Sequence, residues 1–201
     1  MIFNMDKYIF RKRKSLSARD CEYIINLFEK SNSVYDIHDY YSIHPYLKDI
    51  KYNFLHSFLH SGMVEYCEKH SYLGARYLKS WDIDDGFNIQ KYDPGHYYDS
   101  HCDVEYYMGH CEHGIDPKEG ENSKTLRRIL AWMFYLNDIK NKGGTCWPQQ
   151  NFTSKPRAGD LYIWPAGWTH SHYGVPTPTE TKYIITGWCS FSSSGMVGDS
   201  E

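Results

Sequence analysis

Residues 87–103 read FNIQKYDPGHYYDSHCD, and the fold turns on this stretch. FNIQKY has the aromatic and β-branched content of a strand, and the Asp, Pro and Gly that follow end it in a turn. Beyond the turn, His101 and Asp103 stand one residue apart. In extended chain, residues i and i+2 face the same way, so this spacing can present an imidazole and a carboxylate to one ion. Two readings compete. The pair is an ordinary loop His and Asp, or it holds a metal together with a ligand from elsewhere in the chain.

Working outward, three more segments share the character of FNIQKY: RRILAWMFYL (127–136), DLYIWP (160–165) and KYIITGW (182–188). After its arginines RRILAWMFYL is apolar on both faces, as expected of a central or barrel strand. The intervening NDIKNKGGTCWPQQ (137–150) reads as a loop. Before residue 80 the period is helical. SLSARDCEYIINLFEKS (15–31) predicts an amphipathic helix with Ser17 as N-cap, Asp20 in the first turn, and Cys21, Ile24, Ile25, Leu27 and Phe28 on the apolar side. A second helical region spans DIKYNFLHSFLHSGMVEYCEKHSYL (49–73), with an interruption or bend expected near Ser61-Gly62. His56 and His60 in it lack the Glu of an HExxH site and read as surface or half-buried residues. The organisation expected is one domain over residues 1–201, with helical support at 15–75 packed on a mainly antiparallel β module at 80–190. The tail from Ser190 onward is expected to be mobile.

Composition narrows the function classes. The chain has 201 residues, a 41% apolar fraction and near-balanced charge, 22 basic against 25 acidic residues. The densest basic patch, Arg11–Lys14, is too small for the usual nucleic-acid footprint and reads as solvated surface. No secretory signal and no apolar run of spanning length is visible, so neither nucleic acid nor membrane is an expected partner, and a cytoplasmic location is expected. Six cysteines without CxxC pairs or framework spacing read as free thiols in a reducing compartment. His101, Cys102, Asp103, His110, Cys111 and His113 cluster as a zinc knuckle could, but no partner pair follows at finger spacing.

A third metal ligand is available in WPAGWTHSHYGVP (164–176), where His170 and His172 also share a face. One of them added to His101 and Asp103 makes a two-His, one-carboxylate facial triad, which leaves three positions of ferrous iron open. Taken in order, QKYDPGHYYDSHCD, RRILAWMFYLND, GGTCWP, PRAGDLYIWP, HYGVP and TKYIITGW resemble prolyl 4-hydroxylase-like, 2-oxoglutarate- and Fe(II)-dependent dioxygenases over residues 85–190. LSARDCEYIINLFEKS also resembles the helix that opens that family's domain.

The resemblance implies a double-stranded β-helix (jelly-roll) barrel, mainly β with N-terminal helices on one sheet. It implies Fe(II), 2-oxoglutarate and O2, with ascorbate as a reductant that keeps the iron ferrous. The implied reaction hydroxylates a C–H bond of a prolyl residue in a peptide or protein and decarboxylates 2-oxoglutarate to succinate and CO2. A free amino acid or small metabolite is the alternative substrate, and a non-catalytic jelly-roll binding module the alternative class. By the family's pattern His101 and Asp103 are iron ligands. His172, four residues before Pro176 and ten before Lys182, fits the third better than His170. Lys182 matches the cation that pairs with the distal carboxylate of the co-substrate, and Tyr92 a tyrosine that hydrogen-bonds it. Many relatives have a Thr where this chain has Ala131; Tyr135, four residues on, is the expected replacement. Tyr98, Arg128 and Trp188 match positions near the prime-substrate pocket. The polar segment from Val104 to Thr125 is the expected lid over it, and oligomeric state is left open.

Overall fold

The computed structural model describes residues 7–70, 81–104 and 127–191. Its elements in chain order are β1 (Phe10–Lys12), α1 (Ala18–Glu29), β2 (Tyr35–Asp36), β3 (Tyr41–Ile43), α2 (Phe54–Lys69), β4 (Trp81–Tyr92), β5 (Arg128–Tyr135), β6 (Thr145–Trp147), β7 (Phe152–Thr153), β8 (Leu161–Pro165), β9 (Tyr173–Gly174) and β10 (Lys182–Phe191). One sheet runs β1-β8-β5-β10-β4-β3-β2 and a smaller one β7-β6-β9, with every pairing antiparallel. This is the double-stranded β-helix, with the helices on the outer face of the larger sheet.

Strand alternation divides the core in two. Leu130, Trp132 and Phe134 of β5 join Leu161 and Ile163 of β8 and the helix residues Ile24, Phe28, Leu55 and Leu59 in one buried cluster. Their neighbours Ala131, Met133 and Tyr135, with Tyr162 and Trp164, pack instead toward Trp147 of the smaller sheet. The central strand is apolar on both faces because helices cover one face and the second sheet the other. α1 forms as expected. Ser17 and Asp20 make a reciprocal capping box, and Cys21, Ile24 and Phe28 are buried while Ile25 and Leu27 are half-buried.

Three expectations are corrected. α2 runs unbroken through Ser61-Gly62. The glycine is there for proximity rather than bending, since a Cβ at Gly62 would collide with the Leu161 side chain of β8. The segment 137–150 is not all loop: it contains β6 and a 3-10 turn, Pro148–Gln150. A three-residue strand carries no readable period, and this one is fixed by Thr145 N–H donating to Ser154 Oγ at 2.8 Å and Ser154 N–H to the Thr145 carbonyl at 2.9 Å. The basic patch is only partly solvated. Arg11 Nε donates to buried Asp160 at 2.8 Å and Lys12 pairs with Glu65, while Arg13 and Lys14 are exposed. Of the expected mobile tail, Ser190 and Phe191 belong to β10; the rest lies outside the described residues, as do the expected lid beyond Val104 and His110, Cys111 and His113. No described helix is long and apolar enough to cross a membrane.

The turn at Gly159-Asp160 ties the N-terminal segment to β8. Leu16 N–H donates to the Gly159 carbonyl at 3.1 Å, Gly159 sits at φ +81°, and a Cβ there would collide with the Leu16 carbonyl. Gly159→Ala should therefore destabilise the protein by about 2–3 kcal/mol, lowering the thermal midpoint by roughly 4–12 °C in a calorimetric scan.

Candidate metal centre

β4 carries Asn88, Gln90 and Tyr92 at alternate positions, and then the chain turns at Gly95, whose φ is +86° and whose N–H donates to the Thr177 carbonyl at 2.7 Å. This turn aims the following residues at the other end of the barrel. His101 meets His172 in a reciprocal backbone pair, N–H to carbonyl at 3.0 Å one way and 2.8 Å the other. Asp103 N–H donates to the Ala166 carbonyl at 3.0 Å. His101 and Asp103 are thus placed by two separate anchors rather than by one regular strand.

The side chains converge. Ligand atoms of His101, Asp103 and His172 lie within 4.8 Å of one another, the one such group among the described residues. Each histidine has its Nδ1 against a carbonyl: His101 on Asp99 at 2.8 Å and His172 on His170 at 3.0 Å. A carbonyl only accepts, so Nδ1 carries the proton and the Nε2 lone pair is free. The His172 Nε2 stands 3.9 Å from Asp103 Oδ2. Burial holds the His172 pKa below its ordinary value against the pull of the Asp103 carboxylate, with His101 adding to the depression. A neutral imidazole is the form a metal needs.

Asp103 is clasped by two indoles. Trp188 Nε1 donates to Oδ1 at 2.7 Å and Trp164 Nε1 to Oδ2 at 3.2 Å. Arg128 lies over the Trp188 ring at 3.5 Å and donates to the Asp103 backbone carbonyl at 3.0 Å. The same Trp164 packs edge-on to His172, ring centroids 5.1 Å apart. Two donors on one buried carboxylate fix its rotamer.

These groups face a cavity of about 290 Å³. Lys182, only 3% exposed, reaches into it from the start of β10. Its ammonium lies 4.5 Å from the Tyr92 ring centroid, and none of the ion pairs among the described residues involves it. Burial lowers its pKa to about 8. Tyr98 lines the cavity and packs edge-on to His101, centroids 4.4 Å apart.

Of the residues expected from sequence, His101, Asp103, His172, Lys182, Tyr92, Tyr98, Arg128 and Trp188 all line this cavity. His170 does not. Its Nε2 bonds the Lys7 carbonyl at 2.9 Å and its Nδ1 the Thr169 hydroxyl at 3.0 Å, so it pins the N-terminal segment. The reading of Tyr135 needs correction. Its hydroxyl is held by Ser154 at 2.6 Å and Thr145 at 3.1 Å, and Thr145, not Tyr135, is on the cavity wall. Thr145, from the short β6 in the segment expected to be loop, puts a hydroxyl-bearing residue on the cavity wall, where Ala131 has none. Tyr92 also differs from expectation, since its hydroxyl is engaged by Gln90 Oε1 at 2.8 Å. Trp164 and Gln90 were missed although strand alternation already points both inward. Tyr40, stacked on Tyr92 at 5.3 Å, comes from a segment with no sequence signal for this site.

The profile of the 2OG-Fe(II) oxygenase superfamily matches residues 87–190, more than half of the chain. A probable prolyl 4-hydroxylase 9 of Arabidopsis thaliana is 28% identical over 126 residues, covering 52% of this chain and 40% of that protein, so the chain spans well under half of that relative's length. The viral collagen prolyl hydroxylase of Paramecium bursaria Chlorella virus-1, solved as a 2OG complex, superposes with a TM-score of 0.66 at 18% identity, covering 93% of this chain and 97% of that one. A Trichoplax adhaerens prolyl hydroxylase, solved with a hypoxia-inducible-factor peptide fragment, gives 0.63 at 16% identity over 97% and 88%. At such identities the structural likeness speaks for the fold, and the matched profile falls on the segment that supplies all three converging side chains. The chain belongs to the 2OG-Fe(II) oxygenase superfamily, whose members use Fe(II), 2-oxoglutarate and O2.

Proposed function

We propose that this chain is a 2-oxoglutarate- and Fe(II)-dependent dioxygenase that hydroxylates prolyl residues of a polypeptide. The observation that carries the reading is the buried Lys182 ammonium, without a carboxylate partner among the described residues, in the same cavity as two imidazole nitrogens and a clasped carboxylate. A charge at 3% exposure is costly unless an anion joins it. A dicarboxylate chelated by a metal at one end and bonded to Lys182 at the other satisfies both needs.

In this reading His101, Asp103 and His172 hold iron through Nε2, a carboxylate oxygen and Nε2. When bound, iron with 2-oxoglutarate and O2 supplies the oxidant that converts the co-substrate to succinate and CO2 and delivers one oxygen atom to a substrate C–H bond. The protein's own part is placement. Trp188 and Trp164 keep the Asp103 carboxylate turned toward the histidines. Lys182 holds the far end of the co-substrate, and Thr145 offers a hydroxyl on the cavity wall. Tyr92, Tyr40 and Tyr98 pack on one another as an aromatic wall of the cavity.

A polypeptide substrate is favoured over a free amino acid by the adjoining groove, about 950 Å³, which meets the cavity at Asn88, Arg128 and Trp188. That space exceeds what a single amino acid fills. The prolyl assignment rests on the Arabidopsis relative and on the named activities of the structural neighbours. Five described cysteines are free, which suits a reducing, cytoplasmic setting.

Three experiments test this. With Mn(II) in place of iron, 2-oxoglutarate should raise the thermal midpoint, and Asp103→Ala should lose both that shift and succinate formation with peptide. No shift in the parent protein at saturating co-substrate sinks the reading. Trp188→Phe keeps an aromatic ring but removes the indole N–H on Asp103, and should weaken Mn(II) binding roughly 10- to 100-fold by paramagnetic resonance titration, whereas His170→Ala should leave it unchanged. Lys182 must be protonated to bind an anion, and burial places its pKa in the free protein at about 8. Co-substrate affinity should thus be level below pH 8 and fall about tenfold per pH unit above it, a dependence that Lys182→Arg should abolish.

A further inference from the structure

The cavity holds a second buried polar group that the oxygenase reading leaves without work. Gln90, 7% exposed, lies on the inward face of β4 between Asn88 and Tyr92. Its Oε1 accepts the Tyr92 hydroxyl at 2.8 Å, and among the described residues its Nε2 meets no hydrogen-bond acceptor. A carboxamide has both donor and acceptor capacity, and here only the donor end is open. Gln90 lines the cavity with this donor uncommitted, at a position that an aliphatic residue would fill without any hydrogen-bonding demand. The orphan donor points to a ligand acceptor.

Which acceptor follows from location. In the β4–β10 register Gln90 faces Ile184 and Tyr92 faces Lys182, and the Lys182 ammonium sits over the ring whose hydroxyl Gln90 holds. Gln90 lines the cavity but not the adjoining groove, whereas Asn88, one step along the strand face, lines both. The group it meets therefore belongs to the molecule in the cavity, not to a polypeptide in the groove.

We propose that Gln90 donates a hydrogen bond from Nε2 to the 2-oxo dicarboxylate, with Tyr92 as the positioning residue that holds its carboxamide in that orientation. Lys182 and Gln90 then present only donors to the ligand, which selects a dicarboxylate over a 2-oxo monocarboxylate. This rests on the oxygenase reading above and adds a specificity determinant to it.

The test is calorimetric titration of 2-oxoglutarate into Mn(II)-loaded full-length protein, with Mn(II) affinity measured separately. Gln90→Leu, similar in size but without the donor, should raise the co-substrate Kd roughly 10- to 100-fold, the range for a hydrogen bond to a charged group. Gln90→Glu should be at least as damaging because it sets a carboxylate against a carboxylate. Tyr92→Phe frees the carboxamide without removing it and should cost roughly two- to tenfold. Mn(II) affinity should stay at the parent value in all three, which a merely structural role would not allow. If Gln90→Leu does not fold, Gln90→Met makes the same comparison. A Gln90→Leu Kd within about twofold of the parent, with parent binding intact, overturns the inference alone. Failure of the parent protein to bind 2-oxoglutarate overturns the oxygenase reading as well.

Discussion

The reciprocal backbone pair between His101 and His172 is the constraint on which the centre depends. It joins two segments far apart in sequence, one following β4 and the other preceding β9, and it sets their side chains on a common face. With Asp103 anchored independently on the Ala166 carbonyl, three ligating groups are fixed by backbone hydrogen bonds before any ion arrives. Backbone pairing of this kind costs little extra entropy because the flanking strands are already held in the two sheets. The Nδ1 contacts to neighbouring carbonyls complete the arrangement by choosing the tautomer. A metal would meet a site whose geometry and proton positions are already set, and its affinity would not be spent on ordering loops.

Much of this was legible in the sequence because it depends on alternation and spacing. The four longer strands announce themselves by composition, and the both-faced apolarity of RRILAWMFYL reports helices on one side and a second sheet on the other. The His101–Asp103 spacing suggests two ligands, and it is the resemblance to the family's pattern, through the offsets to Pro176 and Lys182, that favours His172 over His170. What stayed hidden was of another kind. Residues in strands of two or three, such as Thr145, carry no period. Whether a hydroxyl is free or occupied, as for Tyr135 and Tyr92, depends on neighbours contributed by distant segments. Gly62 looks like a helix breaker in one dimension and is a contact point in three. Tyr40 enters the cavity wall from a stretch whose sequence says only that it is polar and turn-rich.

The interior polar groups fall into two energetic sorts. Asp103, Tyr135, Thr145 and Ser154 are satisfied within the chain, and such networks hold a shape. Among the described residues, Lys182 has no ion pair and Gln90 bonds only through Oε1, and both contact Tyr92. Evolution of a stable ligand-free barrel would favour apolar residues at both positions. Uncommitted donors at both positions leave the cavity with hydrogen-bonding capacity that a bound dianion would use. The binding energy of the co-substrate and the instability of the cavity are two views of one quantity.

The same logic gives the two-indole clasp on Asp103 a role beyond holding a rotamer. The two indole N–H donors take one position on each carboxylate oxygen, and Arg128 reaches Asp103 only at its backbone carbonyl. Each oxygen retains a lone pair, so the clasp does not compete with a metal for the ligand. Arg128 stiffens the arrangement from behind by covering Trp188 and bonding the Asp103 backbone, not its carboxylate. Had the guanidinium paired directly with the carboxylate, it would have neutralised the charge that a divalent ion must feel. Because Arg128, Trp188 and Asn88 also border the groove, a polypeptide lying there would press on the residues that orient the metal ligand.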